Sequence, residues 1–210
     1  MHWISATANR GKCMPAEEAP VPEVSDSELM ERLANGDDFA LNALMDRWAN
    51  RVTAFLYKTT GQREASVDLA QETFVKLYQA RERYQSSGTF STYLFAIASN
   101  LAKNHLRWKS RHPTVSMDAA DENSGSSLPE AVDSNCNPVE AAEAGEKFRV
   151  IHDAFLSLPH DLCEAMSLFI YEGMGYAEIA TVSGCSLKAV ETRIYRARQL
   201  LKEQLMDLRS

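Results

Sequence analysis

No stretch of this 210-residue sequence approaches the ~18 consecutive apolar residues that a membrane-spanning helix requires. Its start, MHWISATANRGKCMP, lacks the apolar centre of a secretory signal. A cytoplasmic protein without membrane insertion is the expectation. The four cysteines, Cys13, Cys136, Cys163 and Cys185, are scattered, form no CxxC and have no His-rich segment to pair with. That excludes a disulfide framework and a zinc site, and leaves reduced thiols. No sizeable internal repeat appears. Catalytic constellations are missing too: Asp68 and Glu72 share a helix face, but no His, nucleophile or oxyanion-hole pattern accompanies them. No catalytic residue, cofactor or metal is expected, and the carboxylates read as a solvated or protein-docking face.

What is present is helical periodicity within a composition that is 45% hydrophobic, ample for buried cores. The net charge of -7 is unevenly spread: residues 1–36 carry -3, residues 37–112 carry +4, residues 113–150 carry -6 and residues 151–210 carry -2. Basic surface is thus interrupted by an acidic connector, a pattern suited to a chain that touches DNA at two places.

Residues 1–24, with Pro15, Pro20 and Pro22, read as a disordered extension without an assigned role. Structure begins at SDSELMERLANGDD, where Ser25 is a helix cap and Gly36 a terminator. A second helix from about Asp38 to Tyr57 places Leu41, Leu44, Trp48, Val52 and Phe55 on one stripe, closed by Gly61. A third, about Arg63 to Tyr84, turns Val67, Ala70, Phe74, Leu77 and Tyr78 inward and leaves Asp68, Gln71 and Glu72 outward. After Ser86-Ser87-Gly88, TFSTYLFAIASNLAKNHLRWKSR forms a helix with Phe90, Leu94, Ile97, Leu101 and Trp108 inward. Along its flank run Asn100, Lys103, Asn104, Arg107 and Arg111. Asn offers a base paired donor and acceptor groups, Arg and Lys take phosphates, and Phe90, Tyr93 and Phe95 are candidates for stacking on exposed bases. For Phe90 the plainer reading is core. Residues 113–138, acidic and without a period, form a linker. A last domain, 139–210, contains a helix with Phe148, Ile151 and Phe155, a second helix opened by Pro159, and a final pair.

That pair, YAEIATVSGCSLKAVETRIYRARQLL, scans as a helix-turn-helix: Gly184 permits the left-handed turn and Ser186 caps the second helix. Val190, Ile194, Ala197, Leu201 and Leu205 form the second helix's buried stripe. At about 100° per residue, Lys188, Thr192, Tyr195, Arg196 and Gln199 then lie opposite, with Arg193 and Arg198 on the shoulders. Five basic residues against one acidic between Cys185 and Lys202 suit phosphates and base edges, although such a face is often merely wet.

Three segments, DLAQETFVKLYQA at 68–80, FSTYLFAIASNLAKNHLR at 90–107 and LPHDLCEAMSLFIYEGMGYAEIATVSGCSLKAVETRIYRARQLL at 158–201, in this order, resemble the bacterial extracytoplasmic-function sigma factors. The resemblance implies an all-α chain. A polymerase-docking and -10-reading domain (25–112) joins through the acidic linker to a -35-reading domain (139–210) that ends in the helix-turn-helix. It implies a non-enzymatic partner of core RNA polymerase and promoter DNA, held by an anti-sigma protein and tied to stress response, with the linker threading toward the RNA exit path. By position it implies polymerase contacts at Asp68, Gln71, Glu72 and Phe74. Ser86, Phe90, Tyr93, Asn100, Lys103, Asn104 and Arg107 would meet the -10 element, and Lys188, Thr192, Arg193, Tyr195, Arg196, Arg198 and Gln199 the -35 element. Tyr93 stands where the family often has Trp, and Glu191 where several members place a basic residue. The residues alone also suit a stand-alone helix-turn-helix regulator or a helical adaptor that binds only proteins.

Overall fold

A computed structural model describes residues 24–84, 88–112, 149–151 and 153–207, and among these every regular element is a helix. The extension at 1–23, Ser86, the linker at 113–138 and Phe148 lie outside the described residues. Helix α1 (Asp26–Ala34) starts where Ser25 Oγ accepts from the Glu28 amide at 3.2 Å, and buries Leu29, Met30 and Leu33. Helix α2 (Phe39–Thr60) buries Leu44, Trp48, Val52, Phe55 and Leu56 and stops at Gly61, whose φ of 70° supplies the left-handed cap. Helix α4 (Phe90–Arg111) lies against both α2 and α3 (Arg63–Gln79).

Helix α3 is shorter than its periodicity suggests. It gives way at Ala80 to a 3-10 turn over Arg81–Arg83, where Arg81 folds back, donating to the Tyr78 carbonyl at 3.0 Å with its guanidinium 4.2 Å from the Tyr78 ring. Its inward stripe is also rotated. Ser66 and Thr73, both fully buried, take places next to α2, their hydroxyls returned to the Gln62 and Leu69 carbonyls, and Val67 is left outside at 43% exposure. Small side chains that satisfy their own hydroxyls let two helices approach closely, a gain that outweighs burying one valine.

The second group comprises helical residues at 149–151 and 153–156, the latter carrying Phe155, then α5 (His160–Ile170), α6 (Tyr176–Ser183) and α7 (Leu187–Asp207). Glu178 reaches back to accept from the Gly175 amide at 2.9 Å, closing the start of α6. Gly184, with φ of 65°, ends it, and Ser186 Oγ accepts from Ala189 at 3.3 Å to start α7. Val190, Ile194 and Ala197 of α7 are buried against α5 and α6.

The two groups pack on each other, α5 on α2 and α6 on α4, so that one hydrophobic core cluster includes residues of both. Trp108 does not join it: every residue from Arg107 to His112 is exposed, and the indole continues the apolar stripe where no helix among the described residues covers it.

Gly184→Ala should destabilise the chain by about 1–2 kcal/mol, since alanine pays to hold a left-handed backbone. No steric clash adds to it, because a Cβ there meets nothing within 4 Å. Gly88→Ala, where a Cβ also meets nothing within 4 Å and φ is not positive, is the control and should change stability little. Equal midpoints in urea for the two variants would mean that the turn is not held as described.

Candidate nucleic-acid interface

Helix α7 presents Lys188, Thr192, Tyr195, Arg196 and Gln199 to solvent, opposite its buried Val190, Ile194 and Ala197. Tyr195 is 65% exposed. Neither shoulder is free in the same way. Arg193 is half-buried and ion-paired to Asp161 at 2.9 Å, which ties α7 to the start of α5. Arg198 remains exposed, its guanidinium 5.2 Å from the Phe169 ring. Lys188 pairs with Glu191 at 3.0 Å, an exposed contact of little energetic weight.

On α4, Asn100, Asn104, Arg107 and Arg111 form one exposed stripe. Arg107 donates to Asn104 Oδ1 at 3.2 Å, and Arg111 Nε donates to the Arg107 carbonyl at 3.2 Å. These contacts orient the guanidinium forks without neutralising them. No acidic residue occurs between Glu82 and Asp118 in the sequence, so the helix carries only positive charge.

The aromatics of this region behave otherwise than their position suggests. Phe90, 4% exposed, has its ring 5.6 Å from Trp48 and 6.4 Å from Tyr84 at steep angles, and Phe95 is fully buried against Trp48 and Phe55. Neither ring has a face to offer a base, because the first turn of α4 points into the groove beside α2. Tyr93 is half-buried with its ring 5.2 Å from Tyr84, and burial pushes its phenol up, Tyr84 adding to the shift.

Lys103 is the largest departure. Its ammonium sits 3.1 Å from Glu164 Oε1 on α5, 2.9 Å from Ser99 Oγ and 2.9 Å from the Ser183 carbonyl at the end of α6. Glu164 is fully buried, and Ser99 donates to it as well. The flank of α4 is thereby covered by the second group. Nearer the start of α4, the Thr89 and Thr92 hydroxyls donate to Glu178 at 2.9 and 3.3 Å. The Gly175 amide, then Thr89, then Thr92 hold the Glu178 carboxyl below its usual range. On α2, Arg51 pairs with Glu172 at 2.7 Å, Lys58 lies 4.1 Å from the Tyr171 ring, and Cys163 Sγ donates to the Lys58 carbonyl. Burial pushes the Cys163 thiol up to about 12 and draws the Lys58 ammonium down.

A separate apolar groove runs between the first turns of α2 and the outer face of α3, lined by Phe39, Leu41, Met45, Phe74, Val75 and Tyr78. Phe39 is 80% and Val75 53% exposed on its rim. Asp68, Gln71 and Glu72 stand exposed on the same helix, whereas Phe74, 4% exposed, packs inward and serves only as the groove's floor. Sequence reasoning missed Phe39 and Val75, whose apolar character gave no hint that they face outward.

The family descriptions Sigma-70 region 2 and Sigma-70, region 4 match residues 44–112 and 148–201. The ECF RNA polymerase sigma-E factor of Haemophilus influenzae is 32% identical over 190 residues, 89% of this chain and 98% of that protein. The RNA polymerase sigma-H factor of Pseudomonas aeruginosa is 32% identical over 183 residues, 87% of this chain and 95% of its own length.

The chain belongs to the extracytoplasmic-function sigma factors. It is a sigma factor that binds RNA polymerase and directs it to promoters, in a family not known for enzymes. The fold agrees with two solved structures. CnrH in complex with the cytosolic domain of CnrY has TM-score 0.60 at 23% identity, covering 88% of this chain and 99% of that one. The sigma factor RpoE in complex with the anti-sigma factor NepR from Bartonella quintana has TM-score 0.62 at 22% identity, covering 80% and 97%. The match to region 2 therefore includes α4 and the α3 side of the groove, Phe74, Val75 and Tyr78, and the match to region 4 includes α7 as far as Leu201. No helix among the described residues is long and apolar enough to cross a membrane.

Core and reader residues on α4 should separate in one experiment. Phe90→Ala removes a ring packed between Trp48 and Tyr84 and should cost about 3–5 kcal/mol of stability. Asn100→Ala should leave the thermal midpoint unchanged and act only on promoter selection. A Phe90→Ala variant as stable as wild type would return that ring to the candidate base-contacting set.

Proposed function

We propose that the sigma factor works through three surfaces. The docking surface for core polymerase is Asp68, Gln71 and Glu72 together with the adjoining groove rimmed by Phe39 and Val75, over a floor that contains Phe74. The -10 surface is Asn100, Asn104 and Arg107, bordered by Tyr93, with Lys103 joining once uncovered. The -35 surface is Lys188, Thr192, Tyr195, Arg196 and Gln199 facing the groove edges, with Arg198 on phosphate and Arg193 bracing the helix through Asp161. Residues 25–112 and 139–210 act as the two units, joined by the linker at 113–138. The supporting observation is that each family region carries one exposed basic helix face set opposite its buried stripe. Nucleotidyl transfer belongs to the polymerase, and the factor works in the cytoplasm.

In the free factor the second group covers the flank of α4 through Glu164 and Glu178, so engagement of the -10 strand requires the two groups to part. Two of the structural relatives are bound to the partners CnrY and NepR, the latter an anti-sigma factor, and we infer that a protein of that kind also restrains this chain.

Charge reversal at Asp68 and Glu72 together should weaken binding to core polymerase and abolish promoter-specific run-off transcription while leaving helicity intact, since Glu72 pairs only with exposed Lys76. Co-purification with core enzyme at the wild-type level would remove this face from the docking surface.

The seam has its own readout. Cys163 is 2% exposed, with its thiol pushed up to about 12, so its alkylation in the free factor should be slow beside that of half-buried Cys185. Lys103→Glu sets a carboxylate against Glu164 and should speed Cys163 alkylation several-fold at unchanged helicity, as followed by mass spectrometry of the Cys163 peptide. An unchanged rate would show that Lys103 does not hold the groups together.

A further inference from the structure

The last two turns of α4 carry an arrangement that promoter reading through Asn100 does not use. Beyond Leu106, the residue after His105, whose Nε2 lies 3.4 Å from Gln62 Oε1 at the start of α3, no helix among the described residues covers α4, and Arg107 to His112 are all exposed. There Trp108 stands 54% exposed. Burial does not explain it. One face of the indole is covered by the His112 imidazole, stacked at 5.0 Å and 24°. That imidazole is fixed in turn, since its Nδ1 lies 3.0 Å from the Trp108 carbonyl and its amide donates to the Trp108 and Lys109 carbonyls at 3.0 and 3.2 Å. Facing a carbonyl, Nδ1 must carry the proton.

Arg107, Lys109 and Arg111 flank Trp108 along the helix, and no carboxylate among the described residues pairs with them. Cations at a helix C-terminus are favoured by the helix dipole in any case, which accounts for Lys109 and Arg111 alone. It does not account for a tryptophan more than half exposed with one face already stacked. An exposed ring pre-stacked on one side, on a helix end whose cations have no carboxylate partner among the described residues, has the makings of a platform for an unpaired nucleic-acid base, with phosphates on the arginines.

We propose that Trp108, backed by His112, stacks on an unpaired base of the promoter's non-template strand, with Arg107 and Arg111 on the flanking phosphates. This rests on the reading of α4 as the -10 helix and extends it by two turns, placing a second base contact about 12 Å along the helix from Asn100. The positive charge of the whole 83–117 stretch and its lack of any acid argue for a polyanion as occupant rather than a protein surface.

The test uses holoenzyme reconstituted with core polymerase and pre-melted promoter DNA in which an abasic site is moved position by position along the non-template strand. With wild-type factor, one position outside the Asn100 contact should lose about tenfold or more in affinity when the base is removed. Trp108→Ala should lose the same factor on intact DNA and become indifferent to that abasic site, while Trp108→Phe keeps part of both. Equal losses by Trp108→Ala on intact and abasic DNA, or none at all, would overturn the platform. A lowered affinity of Trp108→Ala for core polymerase without DNA would make the ring a protein contact and also overturn it. The broader reading fails separately: if Asn100→Ala and Arg107→Ala also bind as wild type, α4 is not the reading helix, whereas loss in those two with a neutral Trp108→Ala condemns the platform alone. Trp108 is exposed, so each variant should keep the wild-type melting temperature.

Discussion

Glu164 is a carboxylate with none of its surface exposed, and the closed arrangement of the sigma factor depends on what it takes as partners. An ionised carboxylate withdrawn from water needs a cation and hydrogen bonds, or it costs several kcal/mol. The cation is Lys103 and one hydrogen bond comes from Ser99, both on α4. Region 4 is thus fastened to the helix that carries the -10 residues, and Lys103 also satisfies the last carbonyl of α6. One side chain fixes α5 and α6 against α4. The arrangement is not fully satisfied: Glu164 Oε2, Ser183 Oγ and His160 Nε2 are buried without a protein hydrogen-bond partner. Buried polar atoms left unpaired weaken a contact relative to a domain core, and polar interfaces between domains of one chain are of the kind that open.

The seam joins like to unlike along its length. Region 4 contributes the carboxylates Glu164, Glu172 and Glu178, and region 2 contributes Lys103, Arg51 and the Thr89 and Thr92 hydroxyls. Promoter phosphates have the same sign as those carboxylates. On the proposed function, opening on DNA would exchange one set of anions for another around Lys103 and the threonines. What remains to be offset is the desolvated apolar contact between α5 and α2. The docking surface proposed on α3 uses none of these seam residues, so on that proposal polymerase binding can supply that energy without competing for them.

Much of this was legible in the chain. The stripes of α2 and α7, the caps at Ser25 and Ser186 and the left-handed stops at Gly61 and Gly184 follow from local rules, and the described residues obey them. Errors arose where tertiary context decides. Val67 has the right spacing for the core, but the buried places beside α2 go to Ser66 and Thr73, which permit closer approach. Trp108 has the right period, but periodicity does not say where the neighbouring helices end. Phe95 was a candidate for stacking and is core by position, whereas Phe90 and Phe74 are buried as the plainer reading and the inward stripe of α3 have it. One signal was present and passed over. In DLCEAMSLFI, Glu164 sits among apolar residues, and an acid there has to find a partner on another element. Its partner could not be read from the sequence, because Lys103 is equally at home facing DNA.

The two reading helices are not equally available in the closed form. The seam uses α5, α6 and the carbonyl of Ser183, and the main packing partners of α7 are α5 and α6 of its own group, so Lys188, Thr192, Tyr195, Arg196 and Gln199 face solvent in the closed form. On α4 the Asn100–Asn104–Arg107 stripe is exposed, yet its Lys103 flank and the Thr89–Thr92 start are capped by carboxylates. A DNA strand approaching that helix would meet Glu164 and Glu178 beside the very groups it needs, and at contact distance like charges cost more than the residual cations return. On the proposed surfaces, duplex contacts by region 4 carry no conformational cost, whereas strand capture by region 2 requires the seam to open. Affinity for the -10 strand is lowered by the fraction of molecules that are open, and anything that holds the groups apart, polymerase foremost, raises it by removing that factor.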